Sequence, residues 1–274
     1  LHHAARDRGA RIIAMSTANA AARIATAREA FRALHERGCF VLANPWDIGG
    51  VRRAEQLGYR AIASTSAGFA WSLGRDDNEV SRDEVLAHLA ALCGSTTLPV
   101  NADFEDGFAS EPAAVAGNVR LAVGTGVAGL SVEDRHGIDL YPIALATERI
   151  RAARDAIDRS GENVMLIGRS EGLLLGNTTI DTTVERLIAY AAAGADCVFA
   201  PGIRSITDIR SLVAAVAPTP VNVLLMDATM SVPELAEAGV RRVSTGAAFA
   251  VASWKAYEAA ARSVIENGHL PRGG

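Results

Sequence analysis

Asp103, Glu105 and Glu133 are the side chains whose types and spacing suggest chemistry. Asp103 and Glu105 lie at the end of the apolar run LPVNAD (98–103), and Glu133 lies at the end of VAGLSVED (127–134). Oxygen donors without His or Cys suit a hard cation, Mg²⁺ or Mn²⁺. Mg²⁺ keeps several waters, so one direct carboxylate with others acting through water is the expected pattern. One such acid alone is better explained as a helix cap or an ion-pair partner; three at one place favour a metal site. Arg169 ends the apolar run NVMLIGR (163–169), where an unpaired guanidinium would be costly. It either grips a substrate carboxylate or phosphonate bidentately, or pairs with Glu171 or a metal-site acid. Thr65-Ser66-Ala67-Gly68 can offer hydroxyls and backbone N–H groups to an anion, or form a plain tight turn. Of the lone histidines, His88 reads as a solvated helix residue, and His136 is a candidate in the loop after Glu133.

These residues need a scaffold that brings them together. Eight short apolar runs alternate with helical stretches: 39–44, 60–65, 98–103, 127–134, 163–169, 195–201, 220–225 and 240–246. Helices are expected at 17–37 before the first run, and then near 48–57, 81–93, 111–125, 146–161, 181–193, 205–216, 231–238 and from 247 to 266. Strand–helix alternation predicts a parallel sheet, and uniformly apolar strands fit a sheet covered on both faces. Eight such units at this length predict an α/β (β/α)₈ TIM barrel with an extra N-terminal helix. A doubly wound open sheet is the alternative. In a barrel the active site lies at the C-terminal strand ends, where Asn44, Trp46, Asp47, Thr65, Ser66, Asp103, Glu105, Glu133, Asp134, Arg169 and Glu171 all fall, with Asn222 inside the seventh strand.

Bulk properties exclude other classes. The 274 residues carry a net charge of −4, with dispersed Arg and no basic patch, so nucleic acid is not the expected partner. No apolar run is long enough to span a membrane. Cys39, Cys93 and Cys197 are far apart and read as reduced thiols in a cytoplasmic protein. Residues 1–15, LHHAARDRGARIIAM, lack the apolar segment of a signal peptide. They read as a disordered or mis-set leader with Met15 the natural start, leaving 16–274 as a single domain.

The strings NPWDIGGVRRAEQLGYRAIASTSAG, NADFEDGF, VAGLSVEDR, IGRSEG and AGADCVFAPG occur in this order. Over about residues 30–250 the chain resembles the isocitrate lyase and phosphoenolpyruvate mutase superfamily. The resemblance implies a barrel that exchanges its eighth helix between subunits of a homodimer or homotetramer. It also implies Mg²⁺ and an enolate formed from a small 2-oxo acid. Asp103-Phe104-Glu105-Asp106-Gly107 resembles the family's D-x-D-x-G metal motif, with Asp103 as direct ligand and Glu105 in the second acid's place. Glu133 matches a water-mediated acid. In LGRDDNEVS a further acid is matched by Asp77 on spacing and by Asp76 on its neighbours, and Asp77 is preferred. Thr65, Ser66 and Ala67 match the anion-binding turn, and Arg169 matches the substrate-binding arginine. Trp46, Asp47, Glu171 and Asn222, read from their places at the strand ends and not from the resemblance, complete the expected substrate site.

The departures narrow the reaction. The isocitrate lyase loop K-K-C-G-H has no counterpart, since the loop here is DRHGIDLYP (134–142). The mutase's Lys and Asn after the E-D pair are also missing. Cleavage or decarboxylation of a small 2-oxo acid through a metal-stabilised enolate is therefore expected, catalysed with Arg169, Glu133 and His136. Loop 134–142, with Arg135, His136 and Tyr141, is expected to close over the site and supply the proton. A phosphonomutase or phosphonopyruvate hydrolase, acting on a P–C bond, is the alternative. A non-catalytic 2-oxo-acid binding protein is the third reading.

Overall fold

The computed structural model describes residues 19–271, so the leader expected at 1–15 lies outside the described residues. A helix, α1, runs through residues 19–34. The chain then alternates: β1 (Phe40–Leu42), α2 (Ile48–Gln56), β2 (Ile62–Ala63), α3 (Ser66–Ser72), α4 (Arg82–Ser95), β3 (Val100–Asp103), α5 (Pro112–Gly124) and β4 (Gly129–Glu133). A hairpin of β5 (Arg135–His136) and β6 (Asp139–Leu140) follows. Then come α6 (Ile143–Ser160), β7 (Met165–Arg169), α7 (Gly172–Leu175), α8 (Ile180–Ala192), β8 (Cys197–Phe199), α9 (Ile206–Val216), β9 (Val221–Leu224), α10 (Val232–Glu237), β10 (Arg242–Ser244) and α11 (Ala248–Asn267).

Eight strands form one parallel sheet in the order β1-β10-β9-β8-β7-β4-β3-β2. Ala63 N–H donates to the Ala43 carbonyl at 2.9 Å, which closes β1 onto β2. The fold is a (β/α)₈ barrel, not the open doubly wound sheet. Each expected run contains its strand, shortened because the run's ends turn into loops. The expected set lacked α3, α7 and the hairpin, whose short elements carry too few residues for a periodic signal.

Successive side chains of a strand point to opposite faces, so the barrel has two apolar layers. Phe40, Leu42, Ala63, Met165, Ile167, Cys197 and Phe199 point inward, and α1 plugs the strand starts with Phe31. Gly129 permits that plug: a Cβ there would lie 2.6 Å from the Phe31 ring and 2.8 Å from Asn101 Oδ1. The outward layer, with Ile62, Leu130, Leu166 and Val198, packs under the helices against residues such as Leu89, Val119, Ile157 and Leu212. Side-chain caps fix the helix starts, among them Ser81 with Glu84 at α4, Ser205 at α9 and Ser231 at α10.

The last helix is different. Ala250 is the only buried residue of α11, and Trp254, Tyr257 and Ile265 are exposed. No helix among the described residues is long and apolar enough to cross a membrane. Cys93 and Cys197 are buried free thiols, and Cys39 is half-buried. His88 is not a solvated residue: it stacks on Phe69 with ring centroids 3.8 Å apart, and burial pushes its pKa down to about 4.

Candidate active site

Strand register sets the rim. Asp103 aligns with Ser131, Glu133 with Arg169, and Arg169 with Phe199 on the neighbouring strands. Three carboxylates converge on the Arg169 guanidinium. Nη1 donates to Asp103 Oδ1 at 2.9 Å, and Nε lies 2.5 Å from Glu171 Oε1 and 3.3 Å from Glu133 Oε2. Arg169 thus makes the ion pairs with Glu171 and the metal-site acids that the sequence left open. Its pKa is raised although burial opposes this, because Glu171, Glu133 and Asp103 outweigh burial. Asp103 Oδ2 accepts from Ser66 N–H at 3.1 Å, joining the 65–67 turn to the rim.

The acids outnumber that single cation. Burial, then the negative charges of Asp103, Asp77 and Asp106, pushes Glu105 up to about 8. Burial likewise raises Glu133, against Arg169 and with the help of Glu171. Asp77 is raised by burial and then by Asp103. Arg169 stays charged on Asp103 and Glu171, and Glu133 is the partner for which burial most disfavours the anion. A surplus of desolvated carboxylates with oxygen donors only is a set that a divalent cation would balance. Among the described residues no three His, Cys, Asp or Glu side chains are arranged to ligate one ion together.

Two cavities lie on either side of the Arg169–Glu133 pair. One of about 250 Å³ runs from Thr65, Ser66, Ala67, Asp77, Asp103 and Arg169 at the mouth down to Asn222 and Arg242 inside the barrel. The other, of about 270 Å³, lies under the hairpin and is lined by Glu105, Glu133 and Arg135. The structure therefore brings Thr65, Ser66, Ala67, Asp77, Asp103, Arg169 and Asn222 to one cavity. Glu105 and Glu133 reach the adjoining one.

Several expected residues are elsewhere. Asp47 is exposed and accepts from Gly50 N–H at 2.6 Å, so its carboxylate caps α2 and is not at the substrate cavity. Trp46 packs its Cβ beside Gly68, away from the cavity wall. Glu171 is buried, accepts from Arg169 Nε at Oε1 and lines neither cavity. His136 is exposed on the hairpin, 4.8 Å from the Tyr141 ring, and lines neither cavity. Tyr141 bonds Asp106 at 3.1 Å and Ser110 at 3.0 Å, away from the main cavity. Thr65 reaches the cavity, but its hydroxyl caps α3 by accepting from Gly68 N–H at 3.3 Å.

Sequence reasoning missed Asn101 and Arg242, both on the main cavity wall. The signal was there: a polar residue inside the run LPVNAD and a charge inside VRRVSTG, each in an otherwise buried strand. It also missed the role of Asp134, whose carboxylate is bound by Ser170, Arg186 and Tyr190.

Comparison with known proteins shows the family. A family model described as phosphoenolpyruvate phosphomutase matches residues 31–265. An uncharacterised protein of Mycobacterium tuberculosis is 33% identical over 88% of this chain and 91% of its own length. An oxaloacetate decarboxylase of Chromohalobacter salexigens is 29% identical, covering 84% of this chain and 82% of that one. Among solved structures, a Burkholderia cenocepacia protein described as a lyase/mutase superposes with a TM-score of 0.87 at 42% identity, covering 90% and 91% of the two chains.

Proposed function

The chain belongs to the phosphoenolpyruvate phosphomutase family, within the isocitrate lyase/phosphoenolpyruvate mutase superfamily, and on that footing we propose that it is a Mg²⁺-dependent carbon–carbon lyase for a small 2-oxo acid. The observation that carries this reading is the surplus of buried carboxylates around Arg169 at the cavity mouth. Asp103 would hold the metal directly, with Asp77, Glu105 and Glu133 acting through its waters. Mg²⁺, when bound, supplies a Lewis acid that polarises a 2-oxo group and stabilises enolate charge; Mn²⁺ can substitute.

The protein's own residues do the rest. Arg169, fixed by Glu171, keeps Asp103 and Glu133 apart and oriented. Ser66 N–H orients Asp103 from the other side. Cavity walls of Leu42, Ala63 and Phe199 are apolar, and the lower local dielectric strengthens each electrostatic contact. Decarboxylation suits this site because the enolate needs its proton only after CO₂ has left, and no cysteine acid is required. An oxaloacetate decarboxylase relative is in keeping with that choice, and 2-methylisocitrate lyase relatives at similar identity keep other C–C cleavages in the assay. The exposed apolar side of α11 supports a homodimer or homotetramer in which a partner subunit covers it.

The test is an assay of oxaloacetate, other four- and five-carbon 2-oxo acids and phosphonopyruvate, each with Mg²⁺, Mn²⁺ or chelator. Metal-dependent release of CO₂ or of a C–C cleavage product is expected. Turnover of phosphonopyruvate alone would overturn the reading in favour of P–C bond chemistry, the second reading, which the matching family model's description supports.

A further inference from the structure

Four arginines are buried among the described residues: Arg28, Arg149, Arg186 and Arg242. Three face a carboxylate: Arg28 pairs with Glu162, Arg149 lies 3.8 Å from Asp106, and Arg186 lies 3.1 Å from Asp134. Arg242 faces none. It opens β10, is 2% exposed, and is held by two amides. Nε donates to Asn222 Oδ1 at 3.0 Å, and Nη1 donates to Asn101 Oδ1 at 3.3 Å. Among the described residues Nη2 has no protein acceptor. The titratable groups that act on it or feel it are Cys197 of β8 and His35, just after α1. Burial raises the thiol and lowers the imidazole to about 3, so both are neutral.

A guanidinium withdrawn from water with only amide acceptors is costly, because amide dipoles do not replace a counter-charge. The place of this cation explains its survival. Arg242 lies on the wall of the cavity whose mouth carries Asp103 and Arg169. Barrel interiors are ordinarily filled by bulky branched side chains. Here Ala63, Ser131 and Ser244 are small and leave a shaft down to the guanidinium. Asn101 holds Arg242 and Asp103 holds Arg169, and these two residues are two apart on β3. Mouth and floor are therefore separated by about 7 Å along the strand.

We propose that Arg242, seated by Asn101 and Asn222, forms a carboxylate-binding floor in this cavity, selecting 2-oxo acids that carry a second carboxylate at the end of a short carbon chain. The inference rests on the 2-oxo-acid reading of the mouth. Arg169 is already engaged by three carboxylates, so the far carboxylate finds its unpaired cation at the floor, not at the rim.

Two matched pairs of acids test this, each differing by a terminal methyl or a terminal carboxylate: 2-oxobutyrate against oxaloacetate, and 2-oxovalerate against 2-oxoglutarate. Affinities are read from ligand-dependent melting of the intact chain with Mg²⁺. In at least one pair the diacid should bind roughly tenfold or more tightly, the worth of a charge-assisted contact. Arg242→Met should erase that preference, leave the monoacid affinity unchanged and keep or raise the melting temperature, because it removes an uncompensated buried cation. Arg242→Lys should retain part of the preference. If Arg242→Met does not fold, Arg242→Gln takes its place, and the wild-type comparison stands without either. Equal binding within both wild-type pairs overturns the inference, as does a preference that survives loss of the guanidinium. Either result leaves the mouth's 2-oxo-acid reading intact. If no 2-oxo acid binds the wild type, that reading falls and the floor falls with it.

Discussion

Glu133 and Asp134 are adjacent in the chain, both buried, and belong to two different kinds of cluster. Strand alternation sends them opposite ways. Glu133 points to the rim, where it shares one guanidinium with Asp103 and Glu171. Asp134 points away from that rim and is saturated: Ser170 Oγ and Glu171 N–H donate at 2.9 Å, Tyr190 Oη at 2.6 Å, and Arg186 Nη1 at 3.1 Å. One cluster matches each acceptor to a donor and one anion to one cation. The other holds more negative charge than its cation neutralises. A satisfied buried network fixes structure, whereas a charge surplus in a cavity is retained because something binds there.

Removing acids one at a time should separate the clusters. Asp134→Ala leaves Arg186 buried without its anion and should cost about 3–5 kcal/mol, read as a lowered denaturation midpoint. Glu133→Gln should change stability far less while lowering turnover. A large stability loss at Glu133 with activity retained would erase the distinction between the two. Asp103→Ala should abolish the Mg²⁺-dependent rise in melting temperature while the far-UV spectrum stays native. Persistence of that rise would move the metal site elsewhere.

The rim should also show its surplus in pH dependence. Glu105 is raised above its unfolded value, so without metal its contribution is fully present below about pH 4.5 and is lost as pH climbs through about 8. Melting temperatures of the metal-free protein should therefore fall across that window, and Glu105→Gln should flatten the fall. Mg²⁺ favours the anion, so its stabilising effect should grow over the same range. The smallest effect is expected at Asp47. Asp47→Ala should cost about 1 kcal/mol through the lost α2 cap and leave KM unchanged. A raised KM there would return Asp47 to the substrate cavity.

The sequence by itself determined the succession of strands and helices, because their periods are local and every apolar run lies next to its own helix; that the sheet closes into a barrel was decided by the contact of β1 with β2. It also marked the strand ends as the polar mouth, since Asp103, Glu133 and Arg169 each terminate an apolar run. The use of each side chain was decided elsewhere. Asp47 and Thr65 were already capping helices. His136 was turned outward by a two-residue-per-strand hairpin too short to read. Asp134 met Arg186 and Tyr190 more than fifty residues away. Arg242 looked like one more dispersed arginine until strand register placed it inward beside Asn222 and Asn101 with no acid in reach. Periodicity is written in neighbours along the chain, but charge balance is settled by neighbours in space, and only the closed barrel brings those together.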